Sequence, residues 1–173
     1  MRDLQKYAVD CMEMLDCIGI EYGNIIEIVP NSRAKARWGQ CKAIPGGYSI
    51  NINVELLDER NDEDGLINTI IHELLHSAKG CMNHGENWQR LANIVYREYG
   101  LNIKRTSSAA EKGMCDEAIK EHIAARKSRT HNVEYIIKCE CCGHTYKRYK
   151  ASKLTKHPDW FRCGNCNGAL HLV

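Results

Sequence analysis

Half of the ten cysteines in this 173-residue chain lie in its last 35 residues, and four of them form two closely spaced pairs. Cys139 and Cys142 are followed, after 20 intervening residues, by Cys163 and Cys166. Two Cys-x2-Cys pairs at this separation are typical of a site that holds one zinc ion through four thiolates. A segment of about 40 residues buries too little surface to fold alone, so a structural metal is expected to stabilise it. Cys141 lies inside the first pair and offers an alternative, less favourable Cys139-x-Cys141 spacing, so its role stays open.

The cysteine content also bears on the compartment in which the chain works. Charged residues stand among the apolar ones in the first 16 residues, unlike the apolar core of a secretory signal. No apolar run approaches the roughly 18–20 residues that a membrane span needs. In a reducing compartment, clustered cysteines indicate metal binding rather than disulfides. We therefore expect a cytoplasmic protein that does not contact membranes.

Charge is distributed unevenly along the chain, although its net value is only +2. Residues 1–113 hold 13 Lys and Arg against 16 Asp and Glu, whereas residues 114–173 hold 11 against 6. This asymmetry indicates a basic C-terminal part with an anionic partner. Together with the shifts in composition, it predicts a main domain over 1–106, a linker with a charged helix over 107–132, and a zinc ribbon over 133–173.

The hydrophobic pattern of the main domain predicts an α+β fold, with helices packed on a small antiparallel sheet. The predicted elements are helices over 4–18, 66–75 and 83–99, a strand over 25–29 that Pro30 ends, and a hairpin over 37–54. The charged helix of the linker is expected over 116–127. The helix over 66–75 is expected to begin at a capping Asp62 or Asp64. A small four-cysteine ribbon follows these elements.

The helix over 66–75 carries the strongest chemical signal, because His72, Glu73 and His76 match H-E-x-x-H. Residues four apart lie on one face of a helix, so both imidazoles can reach one metal ion. Glu73 is placed to take a proton from a water beside that metal. The helix is otherwise strongly apolar, and an ionisable triplet without a partner would be costly there.

A catalytic zinc ion usually has three protein ligands, so a third is expected beyond His72 and His76. His84 lies eight residues after His76, and a turn over 77–82 would fold it back towards the ion. Glu86 and Glu98 are the rival third ligands. Of these three, His84 is preferred.

The segment HELLHSAKGCMNHGENW, followed by an amphipathic helix and NIKR, resembles the SprT-like family of zinc metallopeptidases, which includes the Spartan-type proteases. The resemblance covers roughly residues 1–106, and the ribbon extends it. His72, Glu73, His76 and His84-Gly85 match the family's motif positions. The resemblance implies a zincin-like fold, a catalytic zinc ion held by His72, His76 and His84, and Glu73 as the catalytic base. ARWGQC, residues 36–41, is similar to a strand segment of related peptidases.

Within that ARWGQC segment, Arg37 and Trp38 are candidates to line a substrate cleft. The alternative is that Trp38 packs in the core and Arg37 is solvated. The sequence favours neither interpretation.

A second candidate interface lies between the cysteine pairs, where residues 144–157 hold five basic residues, two tyrosines and no acid. Basic groups interleaved with aromatic faces suit phosphate contacts and base stacking, although a solvated hairpin would have the same composition. The resemblance to nucleic-acid-associated proteases favours DNA, bound without sequence preference because no base-reading motif is visible. The candidate contacts are Tyr146, Lys147, Arg148, Lys150, Lys153 and Lys156.

These observations predict a zinc metallopeptidase with two Zn²⁺ ions, one catalytic and one structural. Its substrates would be proteins or peptides, and the resemblance implies proteins that are crosslinked to or associated with DNA. One alternative is a DNA-binding module whose protease-like domain is catalytically dispensable. The other is a general intracellular peptidase whose ribbon is purely structural.

Overall fold

The computed structural model describes residues 1–34, 36–127 and 135–173. The chain divides into two compact units, Met1–Arg126 and Lys127–Val173. Part of the predicted linker and the first two residues of the predicted ribbon lie outside the described residues.

The first unit contains a three-stranded sheet in the order β1-β3-β2, formed by β1 (Ile25–Asn31), β2 (Gly39–Ile44) and β3 (Gly47–Asn53). The predicted hairpin is present, because β2 pairs antiparallel with β3. β1, however, pairs parallel with β3, so this sheet is mixed rather than purely antiparallel. β1 also continues through Pro30, since an edge strand tolerates a residue that lacks the backbone N–H donor.

Four helices surround this sheet: α1 (Leu4–Cys17), α2 (Glu63–Ser77), α3 (Glu86–Tyr99) and α4 (Asp116–Lys127). α2 is the central one and packs against α1, α3 and the sheet. α3 begins three residues later than predicted and ends at Gly100, which adopts the left-handed conformation common after helices. The late start leaves residues 78–85 as a loop between α2 and α3.

The core of the first unit lies between α2, the sheet and the two neighbouring helices. Its most completely buried apolar side chains are Leu15, Ile50, Ile52, Leu66, Ile70, Ile71, Leu74, Leu75 and Val95. Five of these nine belong to α2, so this helix is buried on most of its circumference. Among the residues that the structure describes, no helix is long and apolar enough to cross a membrane.

Residues 107–126 fold as part of the first unit, although composition predicted that a linker begins there. The Trp38 indole Nε1 donates a hydrogen bond to the backbone oxygen of Ser107 at 2.9 Å. The His122 ring of α4 stacks on Trp38 and lies 2.5 Å, Nδ1 to Oε2, from the Glu55 carboxylate. These contacts tie the polar segment and α4 to the edge of the sheet.

The second unit is a small antiparallel sheet in the order β5-β4-β6, with β4 (Tyr135–Cys139), β5 (Thr145–Arg148) and β6 (Leu170–Leu172). A single-turn helix, α5 (Lys153–Lys156), begins with a capping box at Ser152. Among the residues of this unit that the structure describes, the buried apolar core consists of Ile137, Cys139, Cys163 and Leu170. The α+β class is therefore confirmed, with a four-cysteine cluster in the C-terminal unit.

Candidate metal centres

The first candidate centre is built on α2, where His72 and His76 lie one turn apart on the same face. Their Nε2 atoms are 3.2 Å from each other, and the Nε2 of His84 is 3.0 Å from that of His72. The loop between α2 and α3 carries His84 back over the helix. Three ligands about 2.0–2.1 Å from a tetrahedral zinc ion would be roughly 3.3 Å apart, so the spacing suits a metal.

The contacts of Nδ1 in His72 and His76 show which nitrogen of each ring is available to bind a cation. His72 Nδ1 lies 3.1 Å from the Lys104 backbone oxygen, and His76 Nδ1 lies 2.8 Å from that of Cys81. Because a carbonyl oxygen only accepts hydrogen bonds, each Nδ1 carries the proton and each Nε2 presents a lone pair. Lone pairs that converge without a proton between them repel one another, and a bound cation removes that repulsion.

Trp88 of α3 lies against all three histidine rings and restricts their orientation. Its ring centroid is 4.9 Å from His72, 5.7 Å from His76 and 4.6 Å from His84. The indole is almost completely buried. The sequence predicted that Trp88 is buried but gave no sign that the residue supports the metal ligands.

The rival third ligands lie elsewhere on α3. Glu86 and Glu98 are exposed, and the three-residue group able to hold a metal contains His84 instead. The structure therefore brings together the three histidines that the resemblance implied. Three imidazoles, two of them with a backbone carbonyl behind the ring, are typical of a zinc site.

Glu73 points from α2 towards the edge strand β2 and is only 6% exposed. Its carboxylate lies so close to Gly39 that a Cβ atom there would be 2.5 Å from Oε1. Burial raises the pKa of Glu73 to about 7, and this rise is opposed by the Cys41 backbone and the charges of Lys112 and Arg37. A carboxylate in this setting is suited to exchange protons near neutral pH.

A cavity of about 210 Å³ opens beside His72 and Glu73, on the side of β2. Both candidate cleft residues of the ARWGQC segment, Arg37 and Trp38, line this cavity, and Trp38 also contacts α4. The other lining residues are Ala36, Gly39, Thr69, Lys104, Arg105, Thr106, Ser107 and Lys112.

Lys112 is the cleft residue that the sequence analysis missed. It follows His72 by 40 residues and lies in a polar segment whose composition predicted a linker. In the structure it is only 7% exposed. Burial lowers the pKa of Lys112 to about 8, while the charges of Glu73 and Glu111 act in the opposite direction. No motif in the sequence marks this lysine.

The second candidate centre is the cluster of Cys139, Cys142, Cys163 and Cys166. The Sγ atoms of Cys139 and Cys166 are 3.5 Å apart, and those of Cys142 and Cys163 are 3.6 Å apart. Thiolates at tetrahedral positions about 2.3 Å from zinc would be roughly 3.8 Å apart, so the cluster needs little adjustment to hold one ion. Cys141 is exposed and does not belong to the cluster.

The remaining five cysteines are distributed along the first unit, and all ten are free thiols in the described chain. Cys11 and Cys81 are buried, Cys41 and Cys115 are half-buried, and Cys17 is exposed. Burial raises the pKa of Cys11 to about 12, which keeps that thiol protonated and unreactive.

Tyr146 was a candidate for base stacking, but the structure places it on the four-cysteine cluster. Its hydroxyl lies 3.3 Å from Cys163 Sγ and accepts a hydrogen bond from the Gly164 backbone N–H at 3.0 Å. The hydroxyl's contact with the sulfur lowers the pKa of Cys163, which favours the thiolate that binds metal. Tyr146 is thus engaged in supporting the cluster.

The basic candidates lie on the surface of the second unit. The exposed ones are Lys147, Arg148, Lys150, Lys153 and Lys156. Tyr149 is 66% exposed in the same segment, and Trp160 is 67% exposed and stacks on His157 with ring centroids 4.1 Å apart. The sequence analysis overlooked Trp160 because the residue lies beyond the run of lysines. The signal available in the sequence was a tryptophan within a few residues of several basic side chains.

Metal analysis tests both centres together. We expect two zinc ions per wild-type chain, one per chain in His72→Ala and one per chain in Cys139→Ser, because each substitution removes a ligand from one centre only. The measurement is plasma emission spectroscopy after gel filtration, with Cys17→Ser as the control because Cys17 is exposed and far from both ligand sets in sequence. A single ion in the wild type would contradict one of the two assignments.

Comparison with known proteins agrees with the geometry of the first centre. Residues 17–107 match the SprT-like family, and this range contains His72, Glu73, His76 and His84. A protein named "Protein SprT-like" from Staphylococcus carnosus (strain TM300) is 28% identical over 127 residues, which cover 73% of this chain and 70% of that protein. The chain belongs to the SprT-like family.

Proposed function

We propose that this protein is a zinc-dependent endopeptidase that acts on proteins associated with nucleic acid. One observation carries the proposal: the three converging Nε2 atoms and the buried Glu73 carboxylate border the same region, and a cavity opens beside them. Membership of the SprT-like family supports it. The combination of a three-nitrogen metal site with an adjacent carboxylate suits the hydrolysis of an amide.

The chemistry divides between the metal and the protein. Zinc bound by the three histidines would act as a Lewis acid on the attacking water and on the scissile carbonyl. Glu73 accepts a proton from the water as its oxygen bonds to the carbonyl carbon. Glu73 then returns the proton to the leaving nitrogen as the carbon–nitrogen bond breaks, so the carboxylate is regenerated.

The position of β2 supports a peptide as substrate. In the described sheet β2 pairs with β3 on one side only, so its other edge is able to pair with an extended segment. Gly39 begins β2 and touches Glu73, so a peptide added along this edge would pass beside the catalytic carboxylate. The close approach of Gly39 requires a residue without Cβ.

The surface of the second unit supports the nucleic-acid part of the proposal. Lysines and arginines exposed together with Tyr149 and Trp160 combine phosphate contacts with stacking platforms. Every base offers a flat face for stacking, so such a surface binds without sequence preference. We also propose a cytoplasmic setting, because free cysteines in a metal-type cluster require reducing conditions.

The second candidate function is DNA binding with a catalytically dispensable first unit. The exposed basic and aromatic side chains favour it as much as they favour the first proposal. The burial of Glu73 against Gly39 argues for the enzyme, because a buried carboxylate is costly to keep where it has no task.

Glu73→Gln distinguishes enzyme from binding module. We expect this variant to retain two zinc ions. It should cleave unfolded protein substrates at least about 100-fold more slowly than the wild type, because the glutamine amide accepts no proton. The measurement is gel-based cleavage with zinc analysis of the same sample. Glu13→Gln, an exposed substitution on α1, is the matched control and should cleave like the wild type. Undiminished cleavage by Glu73→Gln would contradict the proposal.

The salt dependence of DNA binding tests the role of the second unit. We expect wild-type affinity for single-stranded DNA to fall as salt rises. The Lys153→Ala/Lys156→Ala variant should show a log–log slope smaller by about 1.4, because each lysine that neutralises a phosphate contributes roughly 0.7 to the slope. The Lys6→Ala/Lys120→Ala variant, which removes two exposed lysines of the first unit, is the control. Absence of DNA binding even at low salt would contradict the nucleic-acid role of the second unit and favour a peptidase whose ribbon is purely structural.

A further inference from the structure

Lys112 is held in place by the backbone around it. It ends a short 3₁₀ turn, Ala110–Lys112, and its N–H donates to the backbone oxygens of Ser108 and Ala109, which precede that turn. Its own carbonyl lies so close to Gly65 of α2 that a Cβ there would be 2.0 Å away. The next residue, Gly113, accepts a hydrogen bond from the Asp62 N–H. The turn is therefore fixed against the start of the same helix that carries His72 and Glu73.

The ammonium group of Lys112 has no acceptor within residues 1–34, 36–127 and 135–173. The neighbouring Glu111 carboxylate is occupied by Lys104, at 2.7 Å, and by Ser108. Glu73 is near enough to influence Lys112 electrostatically, but the two do not form an ion pair. Lys112 is only 7% exposed, yet its ammonium group is not sealed inside the protein, because the side chain lines a cavity. The acceptors of its hydrogen bonds are therefore water in that cavity or a group that binds there.

The location of Lys112 indicates which kind of bound group accepts a hydrogen bond from its ammonium group. The side chain lines the cavity that also contains His72 and Glu73. The other basic residues of this cavity, Arg37, Lys104 and Arg105, are exposed and form its rim. The Arg37 charge also acts on Glu73, but Arg37 is solvated, so Lys112 is the buried cation of this cavity.

We propose that Lys112 is a catalytic residue that donates a hydrogen bond from Nζ to the scissile carbonyl oxygen as it becomes an oxyanion. This role rests on the proposed peptidase function. When water oxygen bonds to the carbonyl carbon, the carbonyl π electrons move onto oxygen, and Lys112 stabilises that charge without transferring its proton. A fixed donor in a site that excludes water is more effective than a solvated one, because it needs no reorganisation during the reaction.

An alternative is that Lys112 binds an acidic side chain of the substrate. Such an ion pair would form equally in the bound substrate and in the transition state, so its removal would raise KM and leave kcat unchanged. An oxyanion donor acts in the transition state, so its removal lowers kcat. The two roles are therefore separable by kinetics.

The test compares Lys112→Met with Lys112→Arg in the zinc-loaded protein. Methionine approaches the length of the lysine chain without its charge, and we expect a kcat about 100-fold lower with KM changed less than about threefold. Arginine keeps a cationic donor and should recover at least about 10-fold of that loss. Lys120→Met, an exposed lysine of α4 outside the cavity, is the matched control and should be indistinguishable from the wild type.

A binding measurement provides a second readout. A phosphinic peptide, which mimics the tetrahedral state, is expected to bind Lys112→Met about 100-fold more weakly than the wild type by titration calorimetry. The corresponding uncleaved peptide should bind equally to Glu73→Gln and to the Glu73→Gln/Lys112→Met double variant. Every one of these variants should retain two zinc ions per chain.

Several results would overturn the proposal. Wild-type kcat in Lys112→Met, a loss confined to KM that follows acidic residues in the substrate, or loss of one zinc ion from the variant would each contradict a catalytic Lys112. These outcomes leave the peptidase function intact. A wild-type protein that holds two zinc ions and cleaves no protein substrate would contradict the proposed function itself, and with it the role of Lys112.

Discussion

The first unit depends on one electrostatic constraint, the convergence of three imidazole nitrogens on a single point. The Nε2 atoms of His72, His76 and His84 lie within 4.8 Å of one another, and each of the first two rings is turned by a backbone carbonyl behind it. Nearly complete burial of α2 fixes two of these rings, and Trp88 packs against all three. A cation at the centre would relieve the repulsion between the converging lone pairs.

In the second unit, too, side chains that could bind one metal ion converge on a single point, but here they are cysteine thiols. In its described residues the buried apolar core consists of Ile137, Cys139, Cys163 and Leu170, and Cys139 and Cys163 also belong to the four-cysteine cluster. A core this small contributes too little burial to offset the loss of chain entropy, so a metal ion bound by the four thiols would supply much of the folding free energy. Tyr146 links the sheet to the cluster. The basic and aromatic side chains on the surface of this unit thus depend for their arrangement on a small sheet built around the four-cysteine cluster.

Local patterns predicted the elements well, and long-range contacts explain the differences. Helical periodicity located α1, α2 and α3, and the charged composition of residues 116–127 located α4. Motif spacing selected His72, His76 and the four cysteines, and the resemblance favoured His84. The parallel pairing of β1, the folding of residues 107–126 onto the first unit and the burial of Lys112 all depend on contacts between distant segments. Composition described the segment around Lys112 as polar, and polarity alone does not distinguish a solvated linker from a turn that lines a cleft.

Anomalous X-ray diffraction from crystals of the zinc-loaded protein tests the central claim most directly. The account predicts two peaks at the zinc absorption edge. One should lie about 2.0–2.1 Å from the Nε2 atoms of His72, His76 and His84, and the other about 2.3 Å from the sulfurs of the four-cysteine cluster. A zinc peak at the cluster without one among the histidines, under conditions of zinc excess, would contradict the assignment of α2 as the catalytic metal helix.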